Sequence, residues 1–582
     1  MVVAPMAGVV VDVLVSAGQT VAQGQVLAVL EAMKMEHEVL ALKAGVVSEV
    51  FAVKGQMLEE GANLLKVVLG IEGDKRLVTD VQKAIVASVI RGDLNAVLDR
   101  EQYIFDAARP EAIAKRHALG MQSARENIQR LFDDGSFNEF GGLAFAAQST
   151  RRSREDLIAN TPADGIVTGV GKVDGVSCAV FAYDMTVLAG TQGMRSHQKT
   201  DRLLEVALSR RLPVILFAEG GGGRPGDTDM PIIAGLNVAT FSTFAKLSGM
   251  VPLIGIVAGR CFAGNAALLG CCDVIIATEN SNIGMGGPAM VEGGGLGVFK
   301  PEQIGPANVQ FANGVIDILV KDEPAAIAEA KRYLAFSLKS RSTEVAYADQ
   351  ITLRDVVPEN RLRSYQVRDA INTIFDLSSV QELQAGYGVG VVTAFARLGG
   401  SSVAVIANNP FHLGGAIDAD AADKLAEFLG LCNRYELPIV SLVDTPGFMV
   451  GPEIEAKAQV RYASGLFIAT AKLKVPLVAV VLRKGYGLGA MAMTAGGFYQ
   501  TTATIAWPTA EFGAMGLEGS VRLGYRKELE ACINATQREA LYEDLLAKQY
   551  EQGKAIRMAE TLEIDAVIDP AKTRDWLISV LI

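Results

Sequence analysis

Cysteine is scarce: the 582 residues contain six, with no CxxC pair. That excludes a disulfide framework and leaves no zinc-ribbon spacing. Histidine is scarcer, at four, and neither an HExxH helix nor a GxSxG elbow is present, so metalloprotease and α/β-hydrolase signatures are missing. Apolar stretches are cut by Gly, Pro or charge before the roughly 18 to 20 residues that a membrane span needs. The start MVVAPMAGVVVDV has no basic n-region and no small-residue cleavage site. Basic residues are outnumbered, 54 against 65 acidic, for a net charge of −11; a basic face for nucleic acid is not expected. These absences lead us to expect a cytoplasmic chain with no membrane span and no nucleic-acid partner.

What is plentiful is glycine, 60 residues, in a chain that is 50% hydrophobic and 20% charged. Such a composition excludes a largely disordered protein. The length gives a prior of about four domains or lobes.

Residues 1–70 read as short valine-rich strands punctuated by glycine. They repeat at an offset of 37: Ala7-Gly8-Val9-Val10 matches Ala44-Gly45-Val46-Val47, Gly18-Gln19 matches Gly55-Gln56, and Gly24 matches Gly61. Two copies of one unit predict the halves of a small sandwich. Between the copies lies Glu31-Ala32-Met33-Lys34-Met35-Glu36. Two methionines at a turn have little packing value, because thioethers gain most when buried. Residues 71–112 read as a linker with a helix, on the spacing of Val81, Ile85, Val89, Leu94 and Leu98. From Ile113 a charged helix is expected to run through His117, Arg125 and Arg130 to Asp133-Asp134-Gly135.

The remainder alternates apolar runs, Gly-rich turns and helical patterns, which is α/β composition. Val170–Tyr183 and Val391–Ala407 read as hairpins. A second repeat appears here: Leu212-Pro213-Val214 through Glu219 aligns at an offset of 225 with Leu437-Pro438-Ile439 through Asp444. Each is followed by a glycine-containing turn, Gly220–Gly223 and Thr445-Pro446-Gly447-Phe448. Further on, Arg260-Cys261-Phe262-Ala263-Gly264-Asn265-Ala266 aligns with Lys484-Gly485-Tyr486-Gly487-Leu488-Gly489-Ala490. Two strand-to-helix turns side by side can aim backbone N–H groups at one oxyanion.

Ala32-Met33-Lys34-Met35, with Ala4-Pro5-Met6 upstream, resembles the biotinyl carrier domains of biotin-dependent carboxylases. Residues 117–582 resemble the carboxyltransferase component of acyl-CoA carboxylases, on Asp418-Ala419-Asp420 with Lys424, Asp444-Thr445-Pro446-Gly447-Phe448, Leu482-Arg483-Lys484 with Tyr486-Gly487, Ala506-Trp507-Pro508-Thr509-Ala510-Glu511, and Asp569-Pro570 with Thr573-Arg574. The resemblance implies an α/β fold of two crotonase-like lobes, 113–355 on the acyl-CoA side and 356–582 on the carboxybiotin side, behind a small all-β biotinyl/lipoyl-like sandwich. It implies covalent biotin on Lys34, with Met33 and Met35 part of what a biotin protein ligase reads. Gly222, Gly223, Ala263 and Gly264 are then expected to face the thioester oxygen, and Gly447, Phe448, Gly487 and Leu488 the biotin ureido carbonyl. No metal is expected in this half. ATP, Mg2+ and bicarbonate belong to a separate biotin carboxylase subunit, and a homo-oligomer, dimer or hexamer, is expected. The turns at Gly220–Gly223 and Phe262-Ala263-Gly264-Asn265 depart from the commoner family pattern, so the acyl group accepted is left open.

Five cations near these turns are expected to bind substrate: Arg195 and Lys199, with His197 between them, toward the CoA phosphates, Arg224 past the first glycine run, and Arg483 and Lys484 toward the carboxylate on biotin. Each has a plain structural alternative. His412 is placed beside the biotin-side cavity, without an acid or base role. Two other functions stay open at this point, a biotin-dependent carboxyacyl-CoA decarboxylase component and a catalytically inactive carrier or scaffold.

Overall fold

The computed structural model describes residues 1–69, 91–224, 226–229, 236–343 and 345–582. It divides into two compact units, Met1–Asp99 and Arg100–Ile582.

The first unit is a sandwich of two four-stranded sheets. One sheet has the order Met35–Leu40, Val26–Ala32, Gly8–Val13, Met57–Leu58; the other has Val2–Val3, Asn63–Val68, Gly45–Val50, Thr20–Val21. Moving along the chain by 37 residues carries the strands of one sheet onto those of the other, as the repeat predicts. Alternating valines and leucines, among them Val10, Leu27, Leu30, Val47, Leu64 and Leu65, face inward and form the core. Of the linker positions, Val81, Ile85 and Val89 lie outside the described residues. Leu94 and Leu98 sit on a helix, Gly92–Glu101, with no buried side chain.

The second compact unit takes in residues from Arg100 onward, ahead of the lobe expected from 113. Its opening residues are tied to the body by polar contacts: Asp106 accepts from the Ser123 hydroxyl at 2.5 Å and Arg109 donates to Asp184 at 3.0 Å. The single charged helix expected after Ile113 is two helices, Pro110–Ala118 and Ala124–Leu131. Ser123 breaks the run by capping the second one, its hydroxyl accepting from the Glu126 N–H while Glu126 accepts from the Ser123 N–H.

Two lobes of like topology follow. In the first, Ile166–Val173 and Val176–Tyr183 form an antiparallel hairpin, and Val214–Phe217, Leu253–Val257, Val274–Thr278 and Ile318–Val320 continue from it in parallel. In the second, the hairpin Val391–Leu398 with Ser401–Asn408 leads into Ile439–Thr445, Leu477–Tyr486 and Ala503–Ala506. Both hairpins match the expected ones. The central parallel strands are buried at every position, VILF and LIGIV in one lobe and IVSLVDT in the other, because helices cover both faces of a parallel sheet. The helix Glu323–Ser337 inserts between the lobes, where Tyr333 meets Phe395 and Tyr435 in one shared core. Among the described residues no helix is long and apolar enough to cross a membrane.

Candidate active site

In the carrier unit, Ala32 pairs with Met35 and closes a two-residue turn. Both central residues, Met33 and Lys34, have positive φ, 53° and 66°, the geometry of a hairpin turn matched to strand twist. Met33 is 99% exposed and Lys34 is exposed beside it. Among the described residues nothing pairs with the Lys34 amine, which fits a lysine held out for acylation by biotin. Met33, Lys34 and Met35 thus stand together at the tip.

In each lobe of the second unit, the strand end and the helix start expected to act together do meet. Gly222 has φ 74°, and a Cβ there would lie 2.6 Å from the Cβ of Ala263 and 3.3 Å from the Gly264 nitrogen. Only glycine lets the turn come this close. In the second lobe a Cβ on Gly489 would lie 2.7 Å from the Gly447 Cα.

The hydrogen bonds show that the repeat holds to the atom. The Gln192 N–H donates to the Gly222 carbonyl at 2.7 Å and the Arg224 N–H to the Gln192 carbonyl at 2.8 Å; 225 residues on, the Ile417 N–H donates to Gly447 at 3.0 Å and Met449 to Ile417 at 2.9 Å. In each case the bridge skips one residue, Gly223 and Phe448, and turns its N–H to the other side. Neither amide finds an acceptor among the described residues. Beside them start the helices Gly264–Leu269 and Gly487–Met493, whose first-turn amides have no intrahelical acceptor. The expected quartets therefore narrow. The Ala263 N–H donates to the Gly284 carbonyl at 3.0 Å, and the Gly447 N–H to the Thr445 hydroxyl at 3.2 Å. Gly222, Gly223 and Gly264 remain on one side, and Phe448 with Gly487 and Leu488 on the other.

All five cations expected to meet substrate have partners within the fold. Lys199 is buried and donates to the carbonyls of Ala163 and Ile166 at 2.8 and 2.5 Å, and burial pushes its pKa down to about 8. Arg224 pairs with buried Asp164 at 2.5 Å and with Asp227 at 3.3 Å. Arg483 lies against Asp444 at 3.1 Å and over the Tyr365 ring at 5.0 Å, and donates to the Arg363 carbonyl at 2.6 Å. Arg195 stacks 4.5 Å from the Phe145 ring centroid, donates to the Phe145 carbonyl and pairs with Asp229 at 3.4 Å. Lys484 is engaged as well: its Nζ reaches the Gly414 carbonyl at 2.5 Å, on the turn Leu413–Gly415, and lies 3.5 Å from Asp444. His197 is half-buried and bonded to Thr240 at 2.9 Å, and burial lowers its pKa, so it offers no standing charge to a phosphate. His412 contacts Asp418 at 3.3 Å.

Two buried groups behind the first turn were not singled out from sequence. Asn265, fully buried, donates from Nδ2 to the carbonyls of Gly190 and Glu219 at 3.1 and 2.6 Å. Glu219 accepts both ends of the Arg116 guanidinium at 2.9 and 2.7 Å. The repeat pointed to Glu219, which aligns with Asp444, but not to Asn265, which aligns with Gly489.

The family described as "Carboxyl transferase domain" matches residues 115–581, and that described as "Biotin-requiring enzyme" matches residues 1–67. The methylmalonyl-CoA carboxyltransferase 12S subunit of Propionibacterium freudenreichii subsp. shermanii is 33% identical over 85% of this chain and 95% of its own. The propionyl-CoA carboxylase beta chain of Saccharopolyspora erythraea is 31% identical over 83% and 91%. Among solved structures, a single-chain, multi-domain long-chain acyl-CoA carboxylase superposes with TM-score 0.81 at 50% identity, over 99% of this chain. The present chain spans about half of that one, 56%. The transcarboxylase 12S structure, described as a hexamer assembly, superposes with TM-score 0.75 at 32% identity, over 85% of this chain and 95% of its own.

Proposed function

Because the chain belongs to the carboxyl transferase family and carries a biotin-requiring domain ahead of it, we propose that it moves a carboxyl group between biotin on Lys34 and the α or vinylogous γ carbon of an acyl-CoA. The observation that carries the reading is the duplicated turn: one hydrogen-bond trace, repeated 225 residues apart, leaves a strand-end amide beside a helix start in each lobe. Two reactants that both develop negative oxygen need two such sites.

Biotin amide-linked to Lys34 supplies a transferable carboxyl group. The chain's own residues position and neutralise. Gly223 and Gly264 aim N–H groups at the thioester oxygen, where charge grows as the α carbon becomes nucleophilic; one well-aimed donor of this kind is worth about 3 to 4 kcal/mol. Phe448, with Gly487 and Leu488, does the same for the ureido oxygen. Lys484, at Gly414, adds positive charge at the edge of that second site. Asp444 restrains Lys484, accepting its backbone N–H at 3.1 Å and lying 3.5 Å from its Nζ.

A biotin carboxylase using ATP, Mg2+ and bicarbonate charges the carrier from outside these residues, on a separate subunit, and a biotin protein ligase attaches biotin. Exposed apolar side chains near the second turn, Val450, Val460, Leu488 and Met491, support burial against another copy in a homo-oligomer. The test is the reverse half-reaction. The biotinylated chain is given carboxyl-labelled malonyl-, methylmalonyl-, glutaconyl- and 3-methylglutaconyl-CoA, and a long-chain 2-carboxyacyl-CoA because a long-chain enzyme is half identical in sequence. Label appearing on Lys34-linked biotin, and absent in Lys34→Ala, supports the reading; no transfer from any member refutes it.

A further inference from the structure

We propose that Arg116 is a positioning residue for the acyl-CoA-side turn, acting through Glu219; the inference rests on the carboxyltransferase reading above. In the second lobe the carboxylate at the end of the turn-bearing strand, Asp444, is held by Arg483 of the neighbouring strand and by the N–H of Lys484. The first lobe has the acid, Glu219, but its position equivalent to Arg483 is Gly259. A Cβ on Gly259 would lie 2.9 Å from Glu219 Oε1, so no side chain could start there without displacing the carboxylate.

The cation comes instead from the helix Pro110–Ala118, which precedes the lobe. Arg116 spans Glu219 with both terminal nitrogens, at 2.9 and 2.7 Å, and its Nε donates to the Gln122 carbonyl. Gln122 in turn donates its N–H to Glu323 at 2.9 Å, and Glu323 stands 4.0 Å from Arg116. Arg116 and Glu219 are each only 8% exposed, and a bidentate guanidinium fixes direction as well as charge.

From Glu219 the restraint passes directly into the turn. Its carbonyl takes the Asn265 amide at the helix start, and the next residue is locked on both sides: the Gly220 N–H donates to Arg260 at 2.7 Å and its carbonyl accepts from Phe262 at 3.0 Å. Gly222 and Gly223 follow. Removing Arg116 therefore releases the strand end on which the Gly223 amide is carried, while the biotin-side turn keeps its own Arg483–Asp444 clamp.

The test uses the full biotinylated chain. R116M could fail to fold because it strands a buried carboxylate, so R116M/E219Q removes both charges together. Three quantities are read for wild type, both variants and R116K: kcat for label transfer, Kd for the acyl-CoA substrate, and hydrogen exchange of residues 219–223 against 447–449. The expected result for R116M/E219Q is a kcat lower by about 10- to 100-fold, a Kd within about threefold of wild type, and faster exchange at 219–223 with 447–449 unchanged; R116K falls between. A double variant with wild-type kcat per folded molecule, or one whose exchange rises equally at both turns, overturns the proposal. A wild type inactive on the whole panel overturns the functional reading, and the positioning role with it.

Discussion

Lys199 and Lys424 stand 225 residues apart and do the same work. Each is a buried ammonium, and each donates to the carbonyl of the equivalent strand residue, Ile166 at 2.5 Å and Val391 at 3.0 Å. Lys424 also serves the carbonyls of Gln384 and Tyr387, at 2.8 and 3.0 Å. Lys424→Met keeps most of the stem volume but leaves three carbonyls without their donor. We expect a loss of about 3 kcal/mol or more in denaturant unfolding, with Lys199→Met losing somewhat less for its two carbonyls.

These lysines also set a pH dependence. Burial holds each at about 8, against the usual 10.5. Between those values the unfolded chain binds more protons than the folded one, so the lysine's contribution to stability grows as pH rises. The stability gap between wild type and Lys424→Met should widen from pH 8 to 10, with a slope approaching about 1.4 kcal/mol per pH unit. A gap that stays flat or narrows would show that the ammonium is not paying for burial.

At the carrier tip, Lys34→Ala should abolish the biotin mass increment while shifting unfolding by less than about 0.5 kcal/mol, since the side chain is exposed. Lys34→Gly should lose biotin equally yet unfold at higher denaturant than Lys34→Ala. Glycine relieves a left-handed backbone that costs other residues about 1 kcal/mol. Intact mass and isolated-carrier melting separate the two effects.

The turns themselves give a paired prediction. Gly222→Ala drives a methyl into Ala263, and Gly489→Ala drives one into Gly447. Each should lower kcat about 100-fold or more by displacing an oxyanion donor. Only Gly222→Ala should alter acyl-CoA affinity, as measured by calorimetry.

Much of this architecture was legible in the sequence because a repeat is visible without knowing the fold. Gly8 and Gly45, or Glu219 and Asp444, announce equivalent places. The carrier turn was legible from Met33-Lys34-Met35. Cation placement was not. A lysine or arginine reads as solvent-facing until the acid or carbonyl that buries it is known, and the partners of Arg224, Arg483 and Lys199 come from 60, 39 and 33 residues away. One signal was available: Lys199 and Lys424 share the spacing of the repeat, and a residue kept in both lobes belongs to what the lobes have in common, not to either substrate. Glycines mark where a turn is, but the donor it frees depended on which amides the neighbouring strands had already taken. Hence Ala263 and Gly447 looked equal to Gly264 and Phe448.

The doubled carrier sandwich fixes where its lysine stands. The tip between Val26–Ala32 and Met35–Leu40 corresponds, 37 residues on, to the junction between Asn63–Val68 and Val2–Val3, which is the one place where the chain is open. Gly8–Val13 leads away from the tip, and Thr20–Val21 then lies beside Gly45 and Val46 at that open end. About 20 Å of strand therefore lies between Val68 and Lys34. Lys34 at one end and Val2–Val3 with Val68 at the other are thus held apart by the sandwich itself, so a change at either end leaves the other's strand pairing intact.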